Sequence, residues 1–267
     1  MTFHFYKYHG AGNDFILVDN RKGEYDGLTE SQIRNFCSRR FGIGSDGFIM
    51  LSSHTEADFK MDFFNPDGSG ATMCGNGARC LVYFARKLGI QKENYAFEAS
   101  DGMHQASITN ENKNNGTAVV NLSMNSVAEI EQNQFGMFCN TGSPHVVKFV
   151  ENLSGINITE QGRTIRYSDA YKKQGTNVNF IKTIGENKIS VRTYERGVEN
   201  ETLSCGTGVT ASALSFAEKT GIKKGAITVE TKGGAFKVKF YKTNAGFTNI
   251  HLIGPVSFVF SGELSYN

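Results

Sequence analysis

Two short stretches, Met73-Cys74-Gly75-Asn76-Gly77 and Ser204-Cys205-Gly206-Thr207-Gly208, each place a cysteine immediately before a glycine-rich turn, and an apolar run of helical length follows each. The likeness extends beyond them. Glu195 lies 130 positions after Asn65, Cys205 lies 131 after Cys74, and Phe216 lies 132 after Phe84. Glu230 and Gly234 keep the offset of 132 from Glu98 and Gly102. Each half therefore reads strand, polar loop, Cys-Gly-x-Gly, helix, Lys-x-Gly-Ile stop, strand. Ordered offsets of this kind predict an internal duplication rather than two chance motifs. A duplicated unit packed about an approximate two-fold would bring both helix starts, and both thiols, to one interface. A cysteine at a helix N-terminus meets backbone N–H groups without intrahelical partners and the positive end of the helix dipole. That setting favours thiolate.

Length agrees with two domains, since 267 residues suit two units of ordinary size. A net charge of +2 supplies no strong basic field for nucleic acid. No run approaches the eighteen or more apolar residues of a membrane span, and the opening Met1-Thr2-Phe3-His4-Phe5-Tyr6-Lys7 lacks the apolar core of a signal peptide. A cytoplasmic protein is expected. Five cysteines without a CxxC indicate neither a structural zinc site nor a disulfide framework, so no metal is expected.

Along the chain, Phe3 to Asn20 alternates as strands broken by Gly10-Ala11-Gly12-Asn13-Asp14. Asn13 is a plain hairpin residue or a polar group delivered to a site. Thr29 to Phe41 reads as a helix capped by Thr29, with Ile33, Phe36 and Cys37 on one face. Gly42-Ile43-Gly44-Ser45-Asp46-Gly47 spells GxGxxG, but a strand follows rather than a helix, which argues against a dinucleotide site. A dense turn from Asn65 to Gly70 delivers Asn65 beside Cys74, and Cys80 belongs to the core of the next helix. The polar segment 110–116 ends in Asn-Gly and marks the boundary between residues 1–117 and 118–255. In the second half, His145 is a solvated loop histidine or a group that tunes a thiol. Asn177 stands at a strand mouth. The pair Glu195-Arg196 occupies the place that Asn65 holds in the first half, and the helix after Cys205 is apolar almost all round, hence buried.

Two thiols facing one another suit inversion of a carbon bearing an acidic hydrogen. One thiolate removes the proton while the other thiol donates to the opposite face, with a thiol pKa near the range where acid–base catalysis works best. The N–H groups of Gly75, Asn76, Gly206 and Thr207 can bind a substrate carboxylate. Nothing demands a cofactor. A single-thiol hydrolase or acyltransferase with Cys74 as nucleophile and His145 as base leaves the second motif without a role. A binding module without catalysis would exchange no substrate hydrogen.

The motifs Gly10-Ala11-Gly12-Asn13-Asp14-Phe15, Phe64-Asn65-Pro66-Asp67-Gly68-Ser69, Met73 to Cys80, Glu195-Arg196-Gly197 and Ser204 to Gly208 occur in order, and with them the whole chain resembles the diaminopimelate epimerases. The resemblance implies Cys74 and Cys205 as the acid–base pair acting without cofactor on LL- and meso-diaminopimelate. It implies substrate contacts from Asn13, Asn65, Gly75, Asn76, Asn177, Glu195, Arg196, Gly206 and Thr207, with His145 and Glu195 influencing thiol protonation. It further implies an α+β fold of two domains, each a mixed sheet or barrel wrapped around a central helix, with residues 256–267 returning to the first domain, and a homodimer. Proline and hydroxyproline racemases use a similar thiol pair but carry histidine in place of Asn76 and lack the Gly-Ala-Gly-Asn-Asp-Phe opening. Two positions depart from the family: Gly47, where some members have glutamine, and Ser143, where many have asparagine.

Overall fold

The computed structural model, which describes residues 2–265, begins with a hairpin. Strands β1 (Thr2–Gly10) and β2 (Asn13–Asn20) pair antiparallel about Ala11 and Gly12, whose φ values of 53° and 87° make a two-residue turn. Helix α1 (Glu30–Cys37) crosses over to β3 (Gly47–Ser52), parallel to β2, and β4 (Phe59–Phe64) returns antiparallel. Helix α2 (Gly75–Lys87) then leads to β5 (Asn94–Ala99), parallel to β4, and β6 (Gly102–Asn112) and β7 (Thr117–Met124) continue antiparallel.

The second half repeats this order. β8 (Glu131–Asn133) precedes the hairpin of β9 (Gly136–Asn140) and β10 (Pro144–Phe149). Helix α3 (Ile158–Arg166) crosses to β11 (Asn177–Gly185), parallel to β10, and β12 (Lys188–Glu195) returns antiparallel. A short β13 (Asn200–Thr202) folds back on β12. Helix α4 (Gly206–Thr220) leads to β14 (Lys224–Thr231), parallel to β12, followed by β15 (Gly234–Thr243) and β16 (Gly246–Ser265). The duplication read from residue offsets is thus a duplication of topology, parallel pairs included.

One compact unit runs to Leu122 and takes in the chain from Pro255 onward, and the other is Ser123–Gly254. The division falls five residues after the 117/118 break read from the sequence, because β7 is a strand of the first sheet and pairs with β6 from Thr117 to Leu122. The distal part of β16 pairs with β1 from His9↔Ser257 to Thr2↔Ser265, and the Phe258 N–H donates to the Gly116 carbonyl at the start of β7. Eight strands therefore close as a barrel in the first unit. Residues 266 and 267 of the expected returning segment lie outside the described residues.

Each unit is built around one buried helix. Every residue of α2 from Gly75 to Ala85 is buried, and the helix packs against β1, β2, β3 and β6. Helix α4 is buried at all but Thr207 from Gly206 to Ala217 and packs against strands β9 to β12, β14 and β15. Each fully buried Leu, Val or Phe on such a helix contributes about 1.5–3 kcal/mol. The two stop in the same way: the Ile90 N–H reaches the Ala85 carbonyl and the Ile222 N–H the Ala217 carbonyl, each at 3.0 Å, with Gly89 and Gly221 at positive φ. That is the Lys-x-Gly-Ile signal made structural.

Helix α1 has the expected Thr29 cap, completed by Gln32, and the expected buried face of Ile33, Phe36 and Cys37. It ends at Cys37 rather than Phe41. The Gly44 and Ser45 N–H groups fold back onto the Phe36 and Cys37 carbonyls and take the place of a further turn. Phe41 is left 94% exposed. The GxGxxG stretch opens strand β3, as its flanks indicated. Among the described residues no helix is long and apolar enough to cross a membrane.

Candidate active site

Cys74 and Cys205 occupy the same position in their repeats, the N-cap of the buried helix, with φ/ψ of −115°/118° and −129°/116°. Neither thiol caps its helix. An oxygen-bearing N-cap would accept from the first turn. A cysteine leaves the N–H groups of Gly75-Asn76 and Gly206-Thr207 to be satisfied in another way. Cys74 is half-buried and Cys205 buried, whereas Cys37, Cys80 and Cys139 are core residues whose thiols burial pushes up, Cys139 to about 12.

In the first unit the hairpin places Asn13 against Cys74. The Asn13 Nδ2 donates to Asp46 at 2.9 Å, which turns its Oδ1 toward Asn76 Nδ2 at 3.2 Å and the Cys74 sulfur at 3.8 Å. Asp46 is held by Arg39 at 2.6 Å, and Arg39 and Lys7 both pair with Asp14. Burial opposes ionisation of Asp14, but these two cations outweigh it and hold the carboxyl at about 2. The network fixes the hairpin tip, so Asn13 is more than a turn residue.

Sequence reasoning gave Arg79 no role. Its guanidinium is wholly buried, donating to Asn76 Oδ1 at 2.6 Å and to the Gly75 carbonyl at 3.0 Å. Burial lowers it to about 10, so it stays charged at neutral pH, close enough to interact with charge on Cys74. The signal was a cation within the apolar run of the helix, apart from the basic end at Arg86 and Lys87. Asn65 donates to Ser69 Oγ at 3.2 Å within its own turn.

In the second unit, parallel pairing sets His145 opposite Asn177 and Val147 opposite Asn179, while Asn179 stands across from Thr193. His145 is wholly buried. Its Nε2 lies 2.9 Å from Thr207 Oγ1 and 3.0 Å from Ser143 Oγ, and Thr207 Oγ1 lies 3.4 Å from the Cys205 sulfur. Burial excludes the reading of His145 as a solvated loop residue, and Thr207 Oγ1 lies within reach of both its ring and the Cys205 sulfur. Asn177 accepts the Arg196 N–H at 2.9 Å and donates to Ser143 Oγ at 3.3 Å, so these site residues share one corner. Glu195 ends β12, half-buried, and Arg196 is exposed. Asn179 was missed, although its spacing of two from Asn177 puts both on one strand face.

Burial, helped by the Arg196 charge, drives His145 down to about 3, so the ring is neutral in the folded chain at neutral pH. The unfolded histidine takes up a proton below its ordinary 6.5 while the folded one does not. Stability is therefore complete above that value and falls as pH drops from 6.5 toward 3. Asp14 adds a second loss only below its ordinary 3.8. His145→Gln is expected to flatten the upper part of this profile, by on the order of 3 kcal/mol at pH 4. Urea titrations at a series of pH values measure it, and parallel profiles for the two proteins would refute it.

The two departures have neighbours. A Cβ on Gly47 would meet Phe63 Cε2 at 2.5 Å and the Phe64 carbonyl at 3.0 Å, so the Phe63 ring takes the space of the missing side chain. Gly47→Gln is expected to cost about 1–3 kcal/mol, and Phe63→Ala to recover part of it. Thermal melts of both single variants and the double read the coupling, which strict additivity would exclude. Ser143, though shorter than asparagine, reaches both His145 and Thr207. Among the described residues no group of three or more His, Cys, Asp and Glu is placed to hold a metal ion.

The family model for diaminopimelate epimerase matches residues 5–127 and again 137–259. The chain is 48% identical over 255 residues to the diaminopimelate epimerase of Flavobacterium psychrophilum, covering 96% of this chain and 97% of that one. It is 39% identical over 263 residues to that of Chlorobaculum tepidum, covering 96% and 99%. Among solved structures, a phenazine biosynthesis protein of the PhzF family from Bacillus anthracis superposes with a TM-score of 0.76 at 18% identity, covering both chains fully. A hydroxyproline epimerase from Agrobacterium vitis superposes at 0.68 and 15%, over 98% of this chain and 91% of that one. These last two share the fold. With both halves matched by one family model, and curated relatives aligned over nearly their full length, the chain belongs to the diaminopimelate epimerase family.

Proposed function

We propose that this enzyme interconverts LL- and meso-2,6-diaminopimelate without a cofactor, using Cys74 and Cys205 as opposing base and acid, in the supply of lysine and cell-wall precursors. One sulfur, as thiolate, takes the α-hydrogen; the C–H electron pair stays on carbon, and the other thiol delivers a proton to the opposite face. The roles exchange for the reverse reaction. The N–H groups of Gly75-Asn76 and Gly206-Thr207 hold the carboxylate and the charge that builds on it. Asn13, Asn65, Asn177, Glu195 and Arg196 take the remaining polar groups of a substrate that is charged at both ends. His145, through Thr207, and Glu195 set thiol protonation. The observation that carries this reading is the repeated cysteine N-cap, two thiols in one backbone geometry in a chain of this family. A cytoplasmic homodimer completes the reading, on the family's usual state.

The test is incubation with LL-diaminopimelate, and separately with L-proline, in heavy water. Deuterium is expected at the α-carbon of diaminopimelate, with inversion, and none in proline. Labelled proline with unlabelled diaminopimelate would transfer the chain to racemase chemistry, and label in neither would end the epimerase reading.

A further inference from the structure

We propose that Asn179 is a positioning residue that locks His145 in its Nε2–H tautomer, and through it directs the Thr207 hydroxyl at the Cys205 sulfur. The proposal rests on the epimerase reading only for its effect on rate.

A buried row of polar side chains crosses three strands of the second unit, from Thr193 on β12 through Asn179 on β11 to His145 on β10. Thr193 Oγ1 donates to Asn179 Oδ1 at 2.9 Å, and Asn179 Nδ2 donates to the Val146 carbonyl at 3.3 Å. The Val146 bond determines which end of the amide is which, because a flipped amide would set two carbonyl oxygens against each other there, and the Thr193 hydroxyl then holds the Oδ1 end. The same Nδ2 lies 3.0 Å from His145 Nδ1. An N–H facing Nδ1 requires a lone pair there, so the single ring proton sits on Nε2. Burial independently favours the neutral ring.

The tautomer sets the direction of the next bond. With a proton on Nε2 the ring donates to Thr207 Oγ1 at 2.9 Å or Ser143 Oγ at 3.0 Å and accepts from neither, so the Thr207 hydroxyl's hydrogen is left for the sulfur at 3.4 Å or for Ser143 Oγ at 3.1 Å. With the proton on Nδ1 the bare Nε2 would accept from Thr207 or Ser143, and so would compete with the Cys205 sulfur for the Thr207 hydrogen. A donor to sulfur favours the thiolate. Thr141 Oγ1 donates to the Thr207 carbonyl at 2.9 Å and holds the helix start in place. The amide reaches this position because residue 208 is glycine: a Cβ there would lie 2.4 Å from Asn179 Oδ1. That places a demand on the second Cys-Gly-x-Gly independent of the turn itself.

The experiment is long-range 1H–15N correlation on protein labelled in its histidine rings, with His145 assigned by its loss in His145→Gln. The native enzyme is expected to show a pyridine-type Nδ1 and a protonated Nε2, unchanged between about pH 5 and 8. In N179D the carboxylate accepts a hydrogen bond from Nδ1–H, so the proton sits on Nδ1, the pattern reverses and kcat falls by on the order of 10–100-fold with KM little changed. T193V, which removes the hydroxyl that holds the Oδ1 end of the amide, shifts both readouts in the same direction and carries the kinetic arm if N179D fails to fold. A native ring protonated on Nδ1 overturns the proposal whether or not any variant folds. So does a native kcat in variants whose ring pattern has changed. A chain that exchanges no substrate hydrogen yet shows the expected ring pattern defeats the epimerase reading and leaves the tautomer lock standing.

Discussion

Cys205→Ala is expected to lower epimerisation by on the order of 10²–10⁴-fold, and Cys74→Ala to do the same, since each removes one of two groups that move a proton in the transition state. Neither thiol caps a backbone N–H of its helix, so although Cys205→Ala gives up the Thr207 Oγ1 contact the variants should melt close to the parent. Loss of rate is then separable from loss of fold. Each variant keeps one sulfur, and with it isotope exchange at the α-carbon of a single diastereomer without inversion. The diastereomer retained should differ between the two. Deuterium content and stereochemistry measured for LL and meso substrate in heavy water decide the matter. Near-parental turnover in either variant, or both variants exchanging the same diastereomer, would dismiss the two-base assignment.

Phe84→Ala is expected to destabilise the first unit by about 3–5 kcal/mol, the usual range for removing a buried aromatic ring. Phe84 is fully buried on α2, with its ring centroid 4.8 Å from that of Tyr6 and 5.9 Å from that of Tyr8. Those residues sit on β1, the strand that β16 completes, so a cavity there loosens helix and barrel together. A fall in melting temperature on the order of 10 °C follows for a unit of this size. Phe41→Ala is the control: an exposed ring should change stability by no more than about 0.5 kcal/mol. Equal melting temperatures for the two variants would contradict a core built around α2.

Much of this was legible before any coordinates. Helix caps and stops are local, made by residues within a turn of one another, so the Thr29 cap and the paired Lys-x-Gly-Ile stops announce themselves. The burial of α4 follows from a circumference with hardly a charged position. The end of α1 was not legible, because Asn35 to Phe41 has adequate helix formers and the competing bonds come from Gly44 and Ser45. The role of Arg79 was not legible either, because a charge in an apolar run acquires meaning only once its partners, Asn76 and the Gly75 carbonyl, are known.

What the sequence by itself determined is the duplication, the two cysteine–glycine helix starts, and so the kind of chemistry two such thiols support. These depend on spacing and residue type along the chain. Tertiary structure alone decided the state of the groups behind the thiols: that His145 is buried and neutral, that Thr207 lies within reach of both its ring and Cys205, and that Asn179 sets its tautomer. Those facts come from strands β10, β11 and β12 lying side by side, bringing together residues 145, 179 and 193. Hydrogen-bond direction and desolvation belong to neighbours in space, and only folding chooses the neighbours.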